Sequence, residues 1–357
     1  MRKTKIGGIR PTLCYIGDLP RERISGITLS FEHNLRVLSE DYEIISTPEK
    51  FDLGSGFFSS LVIVFAFWKR SFLFISKHKP NINYINLPVS HLGIIKLWGL
   101  LYLIKNQQTS TVLHVHRGDF MATVHSSTFF RWIIKSVIKK VNKIIVLSDE
   151  EKTSLNAKLN TPIFSTLKNT VDIPSELPHI QNDDSKFLYL SNYLETKGIY
   201  DLLEVFSEFT DHKYSIECFG SFANDNEKGK LKSFSSENIS INGPLNNDEK
   251  FNVLNRSKCL ILPSWNEGQP LVILEAMALG IPIIATDVGY IRKMVGADYP
   301  HLIPPKNKEA LKNSIIRISE AENLVSIGND LKKRFDKYYN PNIHKKELLD
   351  IFKSLKG

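Results

Sequence analysis

Two carboxylates, Glu267 and Glu275, stand eight positions apart in the stretch PSWNEGQPLVILEAMALGIPIIATDVG. Glu267 lies on a turn marked by Gly268 and Pro270, whereas Glu275 sits inside the apolar run LVILEAMALG. A carboxylate among residues built for burial needs partners. Pro270 suits the first position of a helix, where its missing N–H costs nothing. The backbone N–H groups about Gly268–Leu271 then offer donors to an anionic or polyhydroxyl ligand. An ionised carboxylate only accepts hydrogen bonds, so paired hydroxyls are its natural guests. Glu267, just ahead of the helix, can hold one diol. Glu275, about a turn and a half in, can hold a second if it faces the ligand.

Other residues have types suited to the same chemistry. In LSNYLETKGIYDLLEVF, Lys197-Gly198 ends an irregular stretch and leads into a helix, which puts a cation near a helix terminus. VLHVHRGDF sets His114 and His116 at alternate positions of a strand, hence on one face, with Arg117 beside them. Two histidines without a third ligand nearby do not make a metal site, and no nucleophile-and-base pair is evident. Arg21 and Arg23 precede Gly26, which opens a helix after the first strand.

The E-x7-E spacing and its surroundings resemble the retaining glycosyltransferase family 4, the GT-B enzymes that use nucleotide sugars, also described as glycosyl transferases group 1. The resemblance implies that Glu267 holds the donor sugar, Glu275 the ribose, and the backbone at Gly268, Gln269, Pro270 and Leu271 the sugar and phosphate. It implies that Lys197 meets the diphosphate. Where the family usually carries Gly-Arg ahead of that lysine, this chain has Ser191-Asn192, so half of the cationic clamp is missing and Asn192 offers only a hydrogen bond. The family's GGIPE is here GYIRK, which suggests Arg292 or Lys293 as a replacement cation. The "HG" segment corresponds to His116 and Gly118 with Arg117 inserted. His116 is thereby implied near the reacting sugar, and His114 is left to the core. Gly26 resembles a phosphate- and acceptor-side glycine loop, and Asn169 and Asp172 of LKNTVDI are expected to be structural.

These groups need a scaffold, and the chain alternates short apolar runs with amphipathic stretches throughout its 357 residues. TLCYIGD, YEIIST, INYINLP, TVLHVHRG and KIIVLSD read as strands, separated by helices at about 28–38, 57–76, 92–104 and 129–140. After the polar SELPHIQNDDS the alternation restarts with KFLYLSNY, YSIECFG, NISINGP, KCLILPS and IPIIATDV, and helices close the chain. The pattern predicts an α/β protein with two Rossmann-like doubly wound domains, as GT-B implies. The expected division is 1–175 for an acceptor-binding domain and 176–340 for a nucleotide-sugar domain, with the helix at about 341–357 able to pack back on the first.

Composition narrows the class. With 42% hydrophobic and 24% charged residues, the chain is an ordinary globular one. Its three cysteines stand apart in apolar stretches, which argues for a reducing compartment. FFSSLVIVFAFWKRSFLFI is too short and too interrupted by Lys69 and Arg70 to span a bilayer, and reads as a helix buried or pressed against an apolar surface. Lys and Arg read as scattered rather than massed in one block, so the net charge of +8 points to phosphate-bearing substrates or anionic headgroups rather than nucleic acid. The expected activity is retaining, metal-independent transfer from a nucleoside-diphosphate sugar to a glycan or lipid-linked acceptor, without cofactor. The expected place is the cytoplasm, at the inner face of the membrane where contact with it is made. A sugar-nucleotide epimerase or hydrolase on the same fold, and a non-catalytic sugar-nucleotide binder, remain alternatives.

Overall fold

A computed structural model describes residues 10–17, 25–47, 57–88, 90–105, 107–116, 120, 127–174, 176, 183–211 and 214–356. Arg21, Arg23, Arg117, Gly118 and most of the expected linker lie outside the described residues. The chain divides into two compact units, one of Met1–Lys168 with His344–Gly357 and one of Asn169–Ile343. The division falls a few residues before the polar SELPHIQNDDS.

In the first unit, β1 (Thr12–Ile16), β2 (Glu43–Ser46), β3 (Ile82–Asn86), β4 (Ser110–His114), β5 (Lys143–Val146) and β6 (Phe164–Thr166) form a parallel sheet in the order β2-β1-β3-β4-β5-β6. The crossovers carry α1 (Gly26–Leu38), α2 (Phe57–His78), α3 (His91–Leu103), α4 (Thr128–Ile138) and α5 (Asp149–Leu159). Right-handed connections put α1, which returns from β1 to the edge strand β2, on one face and the helices that advance the other way on the opposite face. The cores agree. Phe31, Leu35 and Leu38 of α1 pack with Leu13, Tyr15 and Tyr84. Phe67, Ile75, Ile94, Leu97, Ile133, Ile134 and Leu155, from α2 to α5, pack with Cys14, Ile85 and Leu113 on the other face.

The second unit repeats the plan with β7 (Asp183–Leu190), β8 (Ser215–Phe219), β9 (Ile239–Asn242), β10 (Ser257–Leu262), β11 (Ile283–Thr286) and β12 (Leu302–Ile303), ordered β12-β11-β10-β7-β8-β9 and parallel throughout. Its helices are α6 (Ile199–Ser207), α7 (Asp225–Lys232), α8 (Asn247–Arg256), α9 (Leu271–Leu279), α10 (Ile291–Val295), α11 (Lys308–Glu320) and α12 (Leu324–Tyr338). Strand order reverses between β7 and β10, and the carboxyl ends at such a switch point are where ligands of doubly wound sheets bind.

The last helix, α13 (Pro341–Lys353), belongs to the first unit from His344 onward. Leu348 and Phe352 join the α1 core. A buried polar chain fastens the helix: His344 Nε2 lies 2.7 Å from Asn34 Oδ1, Asn34 Nδ2 donates to the Tyr84 hydroxyl, and that hydroxyl lies 2.6 Å from His114 Nδ1. The other His344 nitrogen, Nδ1, faces the Lys168 carbonyl at 2.7 Å. Buried polar groups satisfied in this way fix one arrangement of helix on sheet.

Candidate donor site

At the switch point of the second unit, β7 is followed by Ser191-Asn192 and the turn Glu195–Lys197, and β10 by Pro263-Ser264 and the Glu267 loop. The two segments meet. Lys197 Nζ donates to Glu267 Oε1 at 2.6 Å, with the lysine 26% and the glutamate 9% exposed. Two residues seventy positions apart therefore form one charged site. Gly198 permits the approach: at φ 72° it lies so close to the Pro263 carbonyl that a Cβ would come within 2.1 Å of that oxygen.

The Glu267 loop is held from several sides. Trp265 N donates to Thr196 O at 2.8 Å, and its indole Nε1 donates to Asp201 at 3.2 Å while Lys306 Nζ stands 3.9 Å from the ring centroid. Thr286 Oγ1 donates to the Ser264 carbonyl. Tyr290 N donates to Gly268 O at 3.2 Å. Gly289 has φ 56° and presses on the Glu267 carbonyl, where an added Cβ would stand 1.9 Å away. Beneath the site, burial holds the Tyr189 phenol neutral, its pKa pushed well above the ordinary value, and the nearby Glu267 charge adds to the shift. The Tyr189 hydroxyl donates to the Asn192 carbonyl at 3.2 Å, fixing that backbone while the Asn192 side chain stays exposed.

Pro270 is the residue before α9 rather than its first position, with φ −66° and ψ 127°. The amides of Leu271 and Val272 open the helix, and Ile273 N returns to Pro270 O. Gln269 is buried and pairs twice with Asn169: the Asn169 amide donates to Gln269 Oε1 at 2.8 Å and Asn169 Nδ2 to Gln269 O at 3.0 Å. Asn169 and Gln269 thus hold each other, a pairing that the sequence did not reveal.

Glu275 is buried on α9, and its partner is Lys250 of α8, whose Nζ donates to Glu275 Oε1 at 2.6 Å. The demand for a partner was readable from the apolar surroundings of Glu275. Lys250 was not, because it lies twenty-five positions upstream in the polar text NDEKFNVLNR.

Arg292 pairs with the turn that precedes its helix. Its Nε and Nη2 donate to Asp287 Oδ2 at 3.0 and 2.7 Å, and Nη1 donates to Ala297 O at 2.9 Å. Asp287 accordingly raises the guanidinium pKa. The fork closes the TDVG turn, its side chain 47% exposed. Lys293 lies 5.5 Å above the Tyr290 ring.

In the first unit, His114 and His116 share a face, as alternation requires, with ring centroids 3.9 Å apart. Burial, reinforced by His116 and His344, depresses the His114 pKa well below the usual value. The His116 ring lies edge-on to Phe31 of α1 at 4.6 Å. Gly26 is the first residue of α1, behind a Ser25 cap whose Oγ accepts from Thr28 N and whose N donates to Thr28 Oγ1.

Two parallel Rossmann-like sheets with a charged site at a switch point define the GT-B class of fold. Residues 175–339 match the family described as Glycosyl transferases group 1. It is 31% identical over 136 residues to the putative teichuronic acid biosynthesis glycosyltransferase TuaC of Bacillus subtilis, a match covering 38% of this chain and 33% of that protein. The chain therefore matches about a third of this relative's length. Among solved structures, a sucrose-phosphate synthase from Thermosynechococcus elongatus superposes with a TM-score of 0.76 over 97% of this chain and 99% of that one, at 15% identity. The Anabaena protein HepE in complex with UDP gives 0.68 over 96% and 100%, at 12% identity. At such identities the likeness concerns the fold.

Proposed function

We propose that the protein transfers a sugar from a nucleoside-diphosphate donor to a hydroxyl of a glycan or lipid-linked acceptor, with retention of anomeric configuration and without a divalent metal. The observation that carries this reading is the meeting of Lys197 and Glu267 at the β7/β10 switch point, with the Lys250–Glu275 pair on the helix that follows. The relative named for teichuronic acid biosynthesis supports a place in bacterial surface polysaccharide assembly.

An ammonium has three N–H donors, and Glu267 takes one from Lys197. The others can meet diphosphate oxygens, while the second oxygen of Glu267 accepts from sugar hydroxyls. Glu275 receives the ribose diol. The acceptor oxygen attacks the anomeric carbon on the face that the diphosphate leaves. The old carbon–oxygen bond breaks as the new one forms, and the acceptor proton passes to the departing diphosphate. Negative charge grows on that leaving group, and Lys197 with the opening amides of α9 stabilises it. Donor and acceptor are positioned rather than covalently engaged, and His116 is the residue of the first unit assigned to the sugar side.

The test is a thermal-shift screen across nucleotide sugars, since a ligand of the folded state raises its apparent stability, followed by assay of the best donor with acceptor and EDTA. The expected result is acceptor-dependent transfer with retained anomeric configuration, undiminished by EDTA. Donor turnover at the same rate without acceptor would instead identify an epimerase or hydrolase.

A further inference from the structure

The three helices α2, α3 and α4 lie side by side on one face of the first sheet, and they are apolar on both sides. Inward, Val64, Phe67 and Ile75 of α2, Ile94 and Leu97 of α3, and Ile133 and Ile134 of α4 are buried. Outward, Val62, Phe65 and Leu73 of α2, Leu92, Tyr102 and Leu103 of α3, and Phe129 and Trp132 of α4 are exposed; Phe65 is 64%, Phe129 58% and Trp132 56% accessible. The helices are locked to one another: Trp68 Nε1 donates to Lys96 O at 2.8 Å, the Trp68 ring occupies the space a Cβ on Gly99 would need, and Trp98 meets Trp132 at 5.9 Å. The outward side chains therefore belong to one layer. An amphipathic helix normally turns polar residues to solvent, so this apolar layer marks an interaction surface.

Charge says what covers it. These helices carry six Lys or Arg and no Asp or Glu. From Leu53 to Ser148 the chain has twelve Lys or Arg against a single acid, Asp119. The net charge of +8 is more than accounted for by this stretch, which corrects the impression of scattered cations. Lys69, Lys135 and Lys139 are exposed between the apolar side chains, and Lys105 and Lys140 stand over the Tyr102 ring at 4.4 and 5.4 Å. A second copy of so cationic a face would be repelled. Aliphatic side chains such as Val62 and Leu73 offer nothing to a nucleic-acid backbone. Cations interleaved with Trp, Tyr, Phe and Leu match the headgroup and upper acyl region of an anionic bilayer.

We propose that the α2–α3–α4 face docks the protein on a bilayer containing anionic lipid, with these helices lying in the interface. Among the described residues no helix is long and apolar enough to cross a membrane, so the contact is peripheral. One side of α2 is buried in the core and the other, with Val62, Phe65 and Leu73, is exposed. The surface lies wholly in the first unit, and the proposal does not depend on which sugar is transferred.

Co-sedimentation of the full chain with phosphatidylglycerol/phosphatidylcholine vesicles, and with phosphatidylcholine vesicles alone, tests it. Binding is expected to the anionic vesicles only, and to fall steeply with salt. Each cation at an anionic surface contributes about 1 kcal/mol, so Lys69→Glu/Lys135→Glu/Lys139→Glu should weaken binding at least a hundredfold. Phe65→Ser/Phe129→Ser/Trp132→Ser should weaken it at least tenfold. Both variants should keep wild-type thermal shifts with nucleoside diphosphate, which separates lost docking from lost fold and from failure of the donor-site reading. Absence of binding to anionic vesicles at low salt would overturn the proposal. So would equal binding to both vesicle types, or a self-associating chain whose association, rather than vesicle binding, is lost in the apolar variant.

Discussion

Lys250 Nζ stands 2.6 Å from Glu275 Oε1, the two side chains only 16% and 6% exposed. Removing one partner of a buried pair strands the other charge, which costs on the order of 3 kcal/mol. Lys250→Met should therefore lower Tm by several degrees and weaken nucleoside diphosphate binding. The double variant Lys250→Met/Glu275→Gln, with no stranded charge, should recover part of the stability but not the binding. Denaturant unfolding with calorimetry measures both. A double variant no more stable than Lys250→Met would contradict this view of the pair.

Gly289 touches the Glu267 carbonyl from the TDVG turn, at a φ that side chains avoid. Gly289→Ala must shift the Glu267 loop while leaving the Lys250–Glu275 pair in place. Binding of free nucleoside diphosphate should change less than about threefold, and transfer should fall at least tenfold. Equal losses in both would show that the loop is not the sugar-side element.

Lys197 and Arg292 should behave differently. Lys197→Ala removes the cation assigned to the leaving group, and a loss of about a hundredfold or more in kcat is expected by analogy with single stabilising donors. Arg292, clasped by Asp287, should matter little to chemistry: Arg292→Ala should retain turnover within a few-fold. A collapse of kcat in Arg292→Ala, with Tm unchanged, would return the clamp to that residue.

Much of this scaffold was legible beforehand, and the exceptions are instructive. The strands bearing β-branched and aromatic runs stood out. β6 and β12, of three and two residues, are too short to show any period. Helix α5, DEEKTSLNAKL, buries only Glu151 and Leu155, so no apolar stripe announced it, and α7, DNEKGKLK, is masked in the same way. Glu267, Glu275 and Lys197 were readable from local spacing and resemblance. Lys250 and the Asp287 clasp on Arg292 were not, because each pairing is made by the packing of separate turns and helices rather than by neighbours in a motif.

His301 provides a pH signature. Burial, with Arg317 adding, holds its pKa down at about 4, against roughly 6.5 in an unfolded chain. Between those values the unfolded chain binds the extra proton, so stability rises with pH. The contribution is complete above about 6.5 and is lost as pH falls through about 4. His114 is shifted in the same direction. Tm should decline over that window, and His301→Gln should flatten the decline. Parallel curves for the two proteins would remove His301 from the account.

The most direct measurement is calorimetric titration of Glu267→Gln and Glu275→Gln with a nucleoside diphosphate and with the corresponding nucleotide sugar, using the donor that the screen identifies. A charged hydrogen bond contributes about 1.5–3 kcal/mol, or roughly ten- to a hundredfold in Kd. Glu275→Gln is predicted to weaken both ligands by that factor. Glu267→Gln is predicted to leave the nucleoside diphosphate unchanged and to weaken only the sugar-bearing ligand. Equal losses for both ligands in both variants would contradict the assignment of one carboxylate to the sugar and the other to the ribose.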